Sequence, residues 1–559
     1  MRHFFHLLYY GHTRLLDVLS TFCRRKIFIS FALGKGRNRL GRSPKVITAA
    51  LFVSVHLALL DVGLLVPSLT SIVQEWNVSY SWVIQVITLY VLMLVVSVPF
   101  VTALSRRVGR QFTLTASLAV FGIGAIISGI SPNFFTLLVG RLLQGVGGGG
   151  MLALAAHLIE KREGVRRLGP VRIPLAAGAI LAFMVGGLIA TTFHWRYVFI
   201  LQICPALLTL VFIACKPGRG PAGRRPLDAV GLLLFTAVVV SLMAGIASLR
   251  PESFGASVFN RDVFPFLVAA AGLLVPFLMV ERLHDAPILP FDFFRRQRNV
   301  LGALVSLFSG MSWGALLYIP SYAENALRLK GGAGGYLLAI LVVVAVGAAA
   351  IAHRPAEQYG QGETAAAGFI LMAYGYLMLG TAVTEFWGFV LSLMMTGLGI
   401  GVTANMLSEE WNQPSDSRGK QNRTILSVVR YFRVFGITIG AALFSTFLLQ
   451  ATDKIPERVR ESLGVTSPGE AGVSGGVFAE LVTGSAQVIV PDADRLREYV
   501  PDHIADSTQE LIVRQIMRVI RGTLTEGYQD LFVAAAIFSV VGFVCALAVV
   551  RMERDSYGK

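Results

Sequence analysis

Two opposite charges lie deep in apolar sequence: Asp61 in VSVHLALLDVGLLVPS and Arg141 in FFTLLVGRLLQGVG. A charged side chain at the centre of a bilayer costs about 2.5–3.5 kcal/mol on insertion scales, so such residues are functional candidates by default. A carboxylate facing a guanidinium can take up and release a proton, switching their attraction off and on. The other reading is a static ion pair that fixes helix geometry. A second chemistry is spelled just beyond Arg141, in GRLLQGVGGGGM, Gly140 to Met151. Gly145, Gly147 and Gly150 have the G-x-G-x-x-G spacing that lets backbone approach a dinucleotide's pyrophosphate. That site needs a parallel sheet around it, and no alternating strand–helix pattern exists here. Glycines on an apolar helix instead allow a neighbouring backbone to come close, so these are read as helix-contact residues.

Other candidates surround the charges. His56 is near mid-depth in the same apolar run as Asp61, but five residues along a helix turns it by about 140°, away from the carboxylate. It is either a proton relay or a hydrogen-bonded packing residue. Glu324 falls at the end of a later apolar run, where solvation is cheap, so interfacial exposure competes with proton coupling. Gln85, Tyr90 and Gln144 are polar candidates around the pair, and Trp313, Tyr318 and Tyr374 are aromatic candidates for the walls of a substrate cavity; each competes with plain packing.

These residues need a framework, and the composition sets it. The chain of 559 residues is 54% hydrophobic and only 15% charged, against about 25% charged in soluble domains. Its mean hydropathy is +0.65. Long uncharged runs separated by charged clumps are the pattern of a polytopic, all-α membrane protein. Windows of about 20 apolar residues give about fourteen spans. Asp61 then lies roughly 9 Å, and Arg141 roughly 12 Å, inside the outer ends of spans 1 and 4, at similar depth. Basic connections such as SRRVGRQ, KREGVRRLGPVR, KPGRGPAGRR and FRRQRN alternate with nearly uncharged ones, which places both termini in the cytoplasm of a cell membrane.

The net charge of +16 sits in those short connections, facing anionic lipid, so nucleic acid is not an expected partner. Cys23, Cys204, Cys215 and Cys545 have no metal spacing, and no metal site is expected. No Walker sequence lies in a cytoplasmic connection, so neither ATP nor another cofactor is expected. No span pairs a nucleophile with a histidine and an acid, so an enzyme is not expected. The segment 450–527 is polar and Gly-rich in part. Within it, Ser507 and Glu510 have capping-box spacing before LIVRQIMRVI, an amphipathic helix lying on the outer leaflet or packed over the last spans.

LLVGRLLQGVGGGG resembles the fourth-helix motif of the major facilitator superfamily, with Arg141 before Gln144, Gly145 and Gly147. HWRYVFILQICP, with Trp195 and Arg196, is similar to the signature opening that family's sixth helix, Gln202 standing where Asn is usual. RRPLDAVGLLL and MVERLHDAPILPFDFFRRQRN look like the segments bounding two extra central helices. With the span count, the chain resembles the fourteen-spanner drug:proton antiporters, as a divergent member. The resemblance implies two six-helix bundles plus two extra central helices. A basic cytoplasmic segment 1–45 precedes a bundle 46–215. Two extra helices with their loops fill 216–298. A second bundle spans 299–551, with 450–527 an enlarged extracytoplasmic loop, and 552–559 is a cytoplasmic tail.

The chain departs from the family pattern in three places. The loop after span 2 keeps Gly109 and Arg110, but Arg106 replaces the acid; the matching loop after span 10 keeps Glu357 before Gly360. Ala182 and Phe183 precede Gly186 and Gly187, where the antiporter signature has Gly-Pro. The family's first-helix Asp lies further from the following proline than Asp61 does from Pro67. Arg433, before Gly436 in span 13, matches a family arginine and is read as a packing residue. The function implied is proton-driven export of amphipathic or lipophilic small molecules by alternating access, with protons, substrate and lipid as the partners. A non-transporting receptor or scaffold of the same fold, or an importer of an organic ion, are the alternatives.

Overall fold

The computed structural model describes residues 44–76, 78, 80–163, 169–214, 228–250, 254–283, 291–329, 332–381, 385–409, 419–462 and 506–557. The N-terminal segment, Cys23 and Cys215 lie outside them. The first six long helices are α1 (Pro44–Leu65), α2 (Gln85–Val108), α3 (Arg110–Gly129), α4 (Phe134–Glu163), α5 (Gly169–Thr192) and α6 (Tyr197–Ala214). Next come α7 (Ala229–Ala247) and α8 (Phe264–Leu283). The second group is α9 (Gln297–Gly314), α10 (Ala333–Ile351), α11 (Gln361–Gly380), α12 (Phe386–Glu409), α13 (Gly419–Ser462) and α14 (Asp506–Tyr557). Among the described residues, 12 helical segments are long and apolar enough to cross a membrane; two shorter apolar stretches, Ala177–Thr192 and Tyr197–Val211, lie in α5 and α6.

In a bilayer every backbone polar group needs an internal partner, which is why the apolar runs become helices. Their outward faces stay apolar: Ile123 and Ile126 are exposed along α3 and Ile130 just after it, and Leu233 and Val240 along α7. Such stripes suit lipid rather than water. The helices α7 and α8 lie beside α2 and α13, joined by a cluster of Val96, Phe235, Val239, Met243, Phe277 and Ala442.

The two bundles carry matching details. In the first, α1 runs into a 3-10 turn at Val66–Ser68 containing Pro67; in the second, α9 runs into one at Ala315–Tyr318, just before Pro320. The α2–α3 junction turns on Gly109, with φ 98° and ψ 139°, and the α10–α11 region on Gly360, with φ 103° and ψ 163°. Only glycine adopts that conformation readily. In each case the fourth residue on is a threonine that closes the turn: Thr113 Oγ1 donates to the Gly109 carbonyl at 2.9 Å, and Thr364 Oγ1 to the Gly360 carbonyl at 2.8 Å.

The glycine run of α4 is helical, as read from sequence, and its members face two neighbours. A Cβ on Gly145 would stand 2.5 Å from the Tyr90 carbonyl oxygen of α2, and one on Gly149 2.5 Å from that of Leu94. A Cβ on Gly147 would stand 2.5 Å from the backbone nitrogen of Phe121 in α3. In place of a hydrophobic drive, close backbone approach holds α4 between α2 and α3.

The segment 450–527 departs from a simple loop at both described ends. The 44-residue α13 and the 52-residue α14 run on as helix through 450–462 and 506–527. At about 1.5 Å per residue α14 is roughly 78 Å long, far beyond a hydrocarbon core of about 30 Å. The overhangs pair with each other. Val513, Ile516, Ile520 and Leu524 recur at helical spacing, and are buried together with Ile455 and Val459. Arg458 Nη1 reaches Glu526 Oε2 at 2.6 Å and Thr523 Oγ1 at 3.3 Å, tying the two overhangs.

The α4 packing makes a direct prediction. Replacing Gly147 with Val drives side-chain atoms into the α3 backbone, where overpacking costs about 1–3 kcal/mol. A lower thermal midpoint and a smaller monodisperse fraction in detergent are expected for Gly147→Val. An unchanged midpoint would contradict this packing.

Candidate functional site

The depth match read from sequence becomes a contact. Arg141 Nη2 lies 2.6 Å from Asp61 Oδ2, and both side chains are fully buried. The first helix supplies the anion and the fourth the cation, across the tight packing that the glycines allow. Arg141 is further fixed by two bonds: its Nε donates to the Val86 carbonyl of α2 at 2.8 Å, and Nη1 to Gln144 Oε1 at 3.0 Å. Gln144 extends the chain, its Nε2 donating to Gln202 Oε1 of α6 at 3.0 Å while its Oε1 accepts from Ser128 Oγ of α3 at 3.2 Å. One polar network thus links α1, α2, α3, α4 and α6.

Aromatic rings close the site. The Arg141 guanidinium carbon lies 4.4 Å from the Tyr90 ring centroid and 5.8 Å from that of Phe199. Tyr90 in turn donates its hydroxyl to the Ala58 carbonyl of α1 at 2.7 Å. A guanidinium over a ring is favoured, the more so without water. Asp61 is held differently. Among the described residues neither of its oxygens has a hydrogen bond of good geometry, so charge alone joins it to Arg141. The cation is therefore anchored on several sides, whereas the anion depends on one contact. Arginine stays protonated, so Arg141 is the fixed charge of the pair.

The other sequence candidates are distributed as follows. Gln144 and Tyr90 join the pair. Gln85 stays in its own turn, its Oε1 accepting from Thr88 Oγ1 at 2.8 Å. His56 turns to α5: its Nδ1 is 2.8 Å from the Phe52 carbonyl, and a Cβ on Gly178 would meet its ring at 2.5 Å. Trp313 pairs with Arg433 of α13, whose guanidinium carbon is 5.1 Å from the Trp313 ring centroid. Gly436 of α13 lies against α9, where a Cβ would stand 2.2 Å from the Leu307 carbonyl oxygen. Tyr318 is buried and donates its hydroxyl to the Ala441 carbonyl at 2.6 Å, as a packing residue does. Tyr374 belongs to the exposed stripe with Ile370 and Leu377, and so faces outward from the bundle. Arg110 is exposed at the α2–α3 junction. Glu324 is half-buried, its Oε1 accepting the Gly332 N–H at 2.9 Å. Among the described residues no group of three His, Cys, Asp or Glu side chains is placed to hold a metal.

A second polar cluster closes the end of the bundle where α1 leaves the core, and its centre was missed in the sequence. Glu75 accepts the Trp195 indole N–H and a 2.6 Å bond from Arg196 Nη1. Arg196 Nη2 donates to the Ser131 carbonyl at 2.9 Å, and its guanidinium carbon lies 4.5 Å from the Trp195 ring centroid. Partial burial pushes the Glu75 carboxyl up, but the bonds from Arg196 and Trp195 and the nearby charges outweigh it and leave it below 4.5. His194, 3.2 Å from Glu75, is held below 6.5 by burial, against the pull of Glu75 and with the push of Arg196. The conspicuous Trp195 and Arg196 thus lock the α5–α6 turn to the segment after α1.

A sequence profile described as the Major Facilitator Superfamily matches residues 51–441. The chain belongs to the Major Facilitator Superfamily. It is 26% identical to the uncharacterized MFS-type transporter YfiU of Bacillus subtilis, over 92% of this chain and 98% of that protein. It is 24% identical to the multidrug transporter protein MdtP of the same organism, over 65% of this chain and 67% of that protein. Among solved structures, an inward-facing, unoccupied bacterial homologue of the human lysosomal transporter Spinster matches with a TM-score of 0.54 at 14% identity, covering 90% of this chain and 98% of that one. The nucleoside transporter NupG matches with a TM-score of 0.54 at 10% identity, covering 90% and 99%. The chain is a multi-pass MFS transporter, not an enzyme.

The Glu75 cluster has a defined pH dependence. A carboxyl held below its ordinary value contributes stability that is present above about 4.5 and is lost as pH falls through the folded value. Glu75→Gln should therefore lower the thermal midpoint at pH 7, with the gap to wild type closing as pH drops below about 4.5. A gap that is constant over that range would contradict the charge-based lock.

Proposed function

We propose that the chain is a proton-coupled exporter of amphipathic or lipophilic small molecules, of the fourteen-spanner drug:proton antiporter type. It sits in a cell membrane with both termini cytoplasmic, so that the Glu75 end faces outward. The observation that carries the proposal is the fully buried contact of Asp61 with Arg141. The 24% identity to a multidrug transporter, and 23% identity to a multidrug resistance protein B homologue of Mycobacterium tuberculosis, support the substrate class.

In the closed arrangement the ionised Asp61 neutralises Arg141 and draws α1 onto α4. A proton arriving on Asp61 cancels that attraction and leaves Arg141 on its bonds to Val86 and Gln144. The charge change thus falls on one helix pair, and α1 gains freedom relative to α4. When the proton leaves on the cytoplasmic side, the pair forms again. Each unit charge moved supplies about 2.3 kcal/mol per 100 mV of membrane potential, and each pH unit adds about 1.4 kcal/mol. The proposed cycle uses no nucleotide or other cofactor.

A second reading, a receptor or scaffold that transports nothing, draws on Arg106 in the α2–α3 loop and on Ala182-Phe183 before the glycine pair. One assay separates the two. In proteoliposomes with an imposed pH gradient, wild type should move ethidium, an uncoupler should abolish the movement, and Asp61→Asn should reduce it by at least about tenfold. Undiminished pH-driven movement in Asp61→Asn would remove Asp61 from the coupling mechanism. Absence of movement with ethidium and a panel of lipophilic dyes in the wild type would favour the scaffold.

A further inference from the structure

Pro99 lies inside α2. Proline has no N–H, so the carbonyl four residues back, that of Val95, loses its helical donor. Val95 sits near the middle of α2, where lipid offers no substitute and an unpaired carbonyl is costly. The donor comes from the other bundle: the Tyr431 hydroxyl of α13 donates to the Val95 carbonyl at 3.2 Å. A backbone need created by a proline of the first bundle is thus met by a side chain of the second.

A third element lies against this bond. Phe235, Val239 and Met243 recur every four residues on one face of α7, and are buried with Val96 of α2 and Ala442 of α13. Leu92 of α2 and Tyr431, Phe435 and Ile439 of α13 pack at the edge of the same cluster. The Phe235 ring centroid is 6.3 Å from that of Tyr431 and 5.8 Å from that of Phe277 in α8. One face of α7 therefore touches both bundles, and α8 backs it, while Leu233 and Val240 are exposed on the outside. The two extra helices strap the α2–α13 seam beside the Tyr431 bond.

The seam between α5 and α10 is built differently. A Cβ on Gly332, just before α10, would stand 2.7 Å from the Gly187 carbonyl oxygen of α5, and one on Gly335 2.8 Å from that of Phe183. Backbone meets backbone there, yet each of the two facing glycine carbonyls has a partner on its own side. The Gly187 carbonyl accepts from Thr191 Oγ1 at 3.0 Å, and the Gly332 carbonyl from the Gly335 N–H at 3.0 Å. Parting this contact strands neither carbonyl, whereas parting α2 from α13 strands that of Val95. By cost, the α5–α10 seam is the one to open. Position agrees: Gly187 lies near the end of α5, whereas the Tyr431 bond is near mid-helix in α2, where the axis of a rocking motion passes.

We propose that Tyr431 is a positioning residue of the transport cycle: its bond to the carbonyl freed by Pro99 pins the α2–α13 seam as the axis of rocking. The α5–α10 seam is then the side that opens, and α7 and α8 are the strap that keeps lipid from the axis bond. Without the bond the bundles slip along the seam as well as rock, and fewer excursions open the far side. The inference rests on the alternating-access reading, and adds to it a fixed side, an opening side and a role for the two extra helices.

The test is a double-mutant cycle on the full chain, read in two ways. Ethidium movement under an imposed pH gradient is measured in proteoliposomes for wild type, Tyr431→Phe, Pro99→Ala and the double variant, each per folded transporter. Tyr431→Phe should slow movement about tenfold in the wild-type background, where it strands the Val95 carbonyl. In the Pro99→Ala background, whose new N–H restores the helical donor, it should slow movement less than about twofold. The second readout needs no substrate. Spin labels replace Phe193, just after α5, and Ile340 on α10, both exposed, in nanodiscs with native cysteines removed. Tyr431→Phe should broaden the inter-label distance distribution at least about twofold, and adding Pro99→Ala should return it to the Pro99→Ala width. Equal effects of Tyr431→Phe in both backgrounds would overturn the proposal. So would a Tyr431→Phe variant with a lower thermal midpoint but unchanged movement and unchanged distances, since that is what a merely structural bond gives. If wild type moves no dye while the label cycle behaves as stated, the exporter reading fails and the pinned seam stands.

Discussion

A carboxylate and a guanidinium sealed from water cannot be altered one at a time without consequence. Removing either partner of such a pair leaves the other charge buried, at a cost of about 3–5 kcal/mol. Asp61 and Arg141 make this constraint the centre of the first bundle, because the network from Arg141 reaches four other helices. Its asymmetry matters as much as its strength. The arginine has backbone, amide and aromatic partners, whereas among the described residues the aspartate has only the arginine. Loss of the charge on Asp61 would remove the ion pair alone, leaving the bonds of Arg141 and the Tyr90–Ala58 bond to α1 standing.

The remainder of the molecule brings those two helices close. Glycines at helical spacing let α4 lie against α2 and α3 at backbone distance, which sets Arg141 at the level of Asp61. The same device recurs at Gly436 of α13 against α9, and at the Gly187–Gly332 approach between the bundles. The first two contacts join helices within a bundle. The third crosses from one bundle to the other, where a rocking motion has to break contact. Glu324 sits at that third contact, and Glu75 locks the neighbouring turn, so carboxylates stand at both places where this end is tied.

Much of this was legible in the sequence, for reasons that differ from site to site. Apolar windows fix depth, and two lone charges of opposite sign at one depth have few other partners, so the sequence itself pairs Asp61 with Arg141. The glycine run was legible as close contact, but which glycine meets which helix depends on packing that one strand of text does not hold. Tyr374 shows the limit of an apolar environment. A span is apolar on both its lipid face and its packed face, so periodicity does not tell an outward ring from an inward one. Glu75 left no signal, because its partners Trp195 and Arg196 are brought to it by the fold from far along the chain. The stretch LIVRQIMRVI reads as amphipathic from its spacing, while its continuity with α14 depends on the paired overhang of α13, which covers its apolar stripe.

The most direct measurement of the central claim is a proton count. Ethidium is added to the purified transporter in weakly buffered detergent solution, and the protons released per bound dye are read from a pH indicator. If Asp61 exchanges its proton against substrate, wild type releases close to one proton per dye and Asp61→Asn, still binding dye, releases none. Equal release from both proteins, or none from wild type while dye binds, would show that the buried pair is a structural tie and that the proton is carried elsewhere.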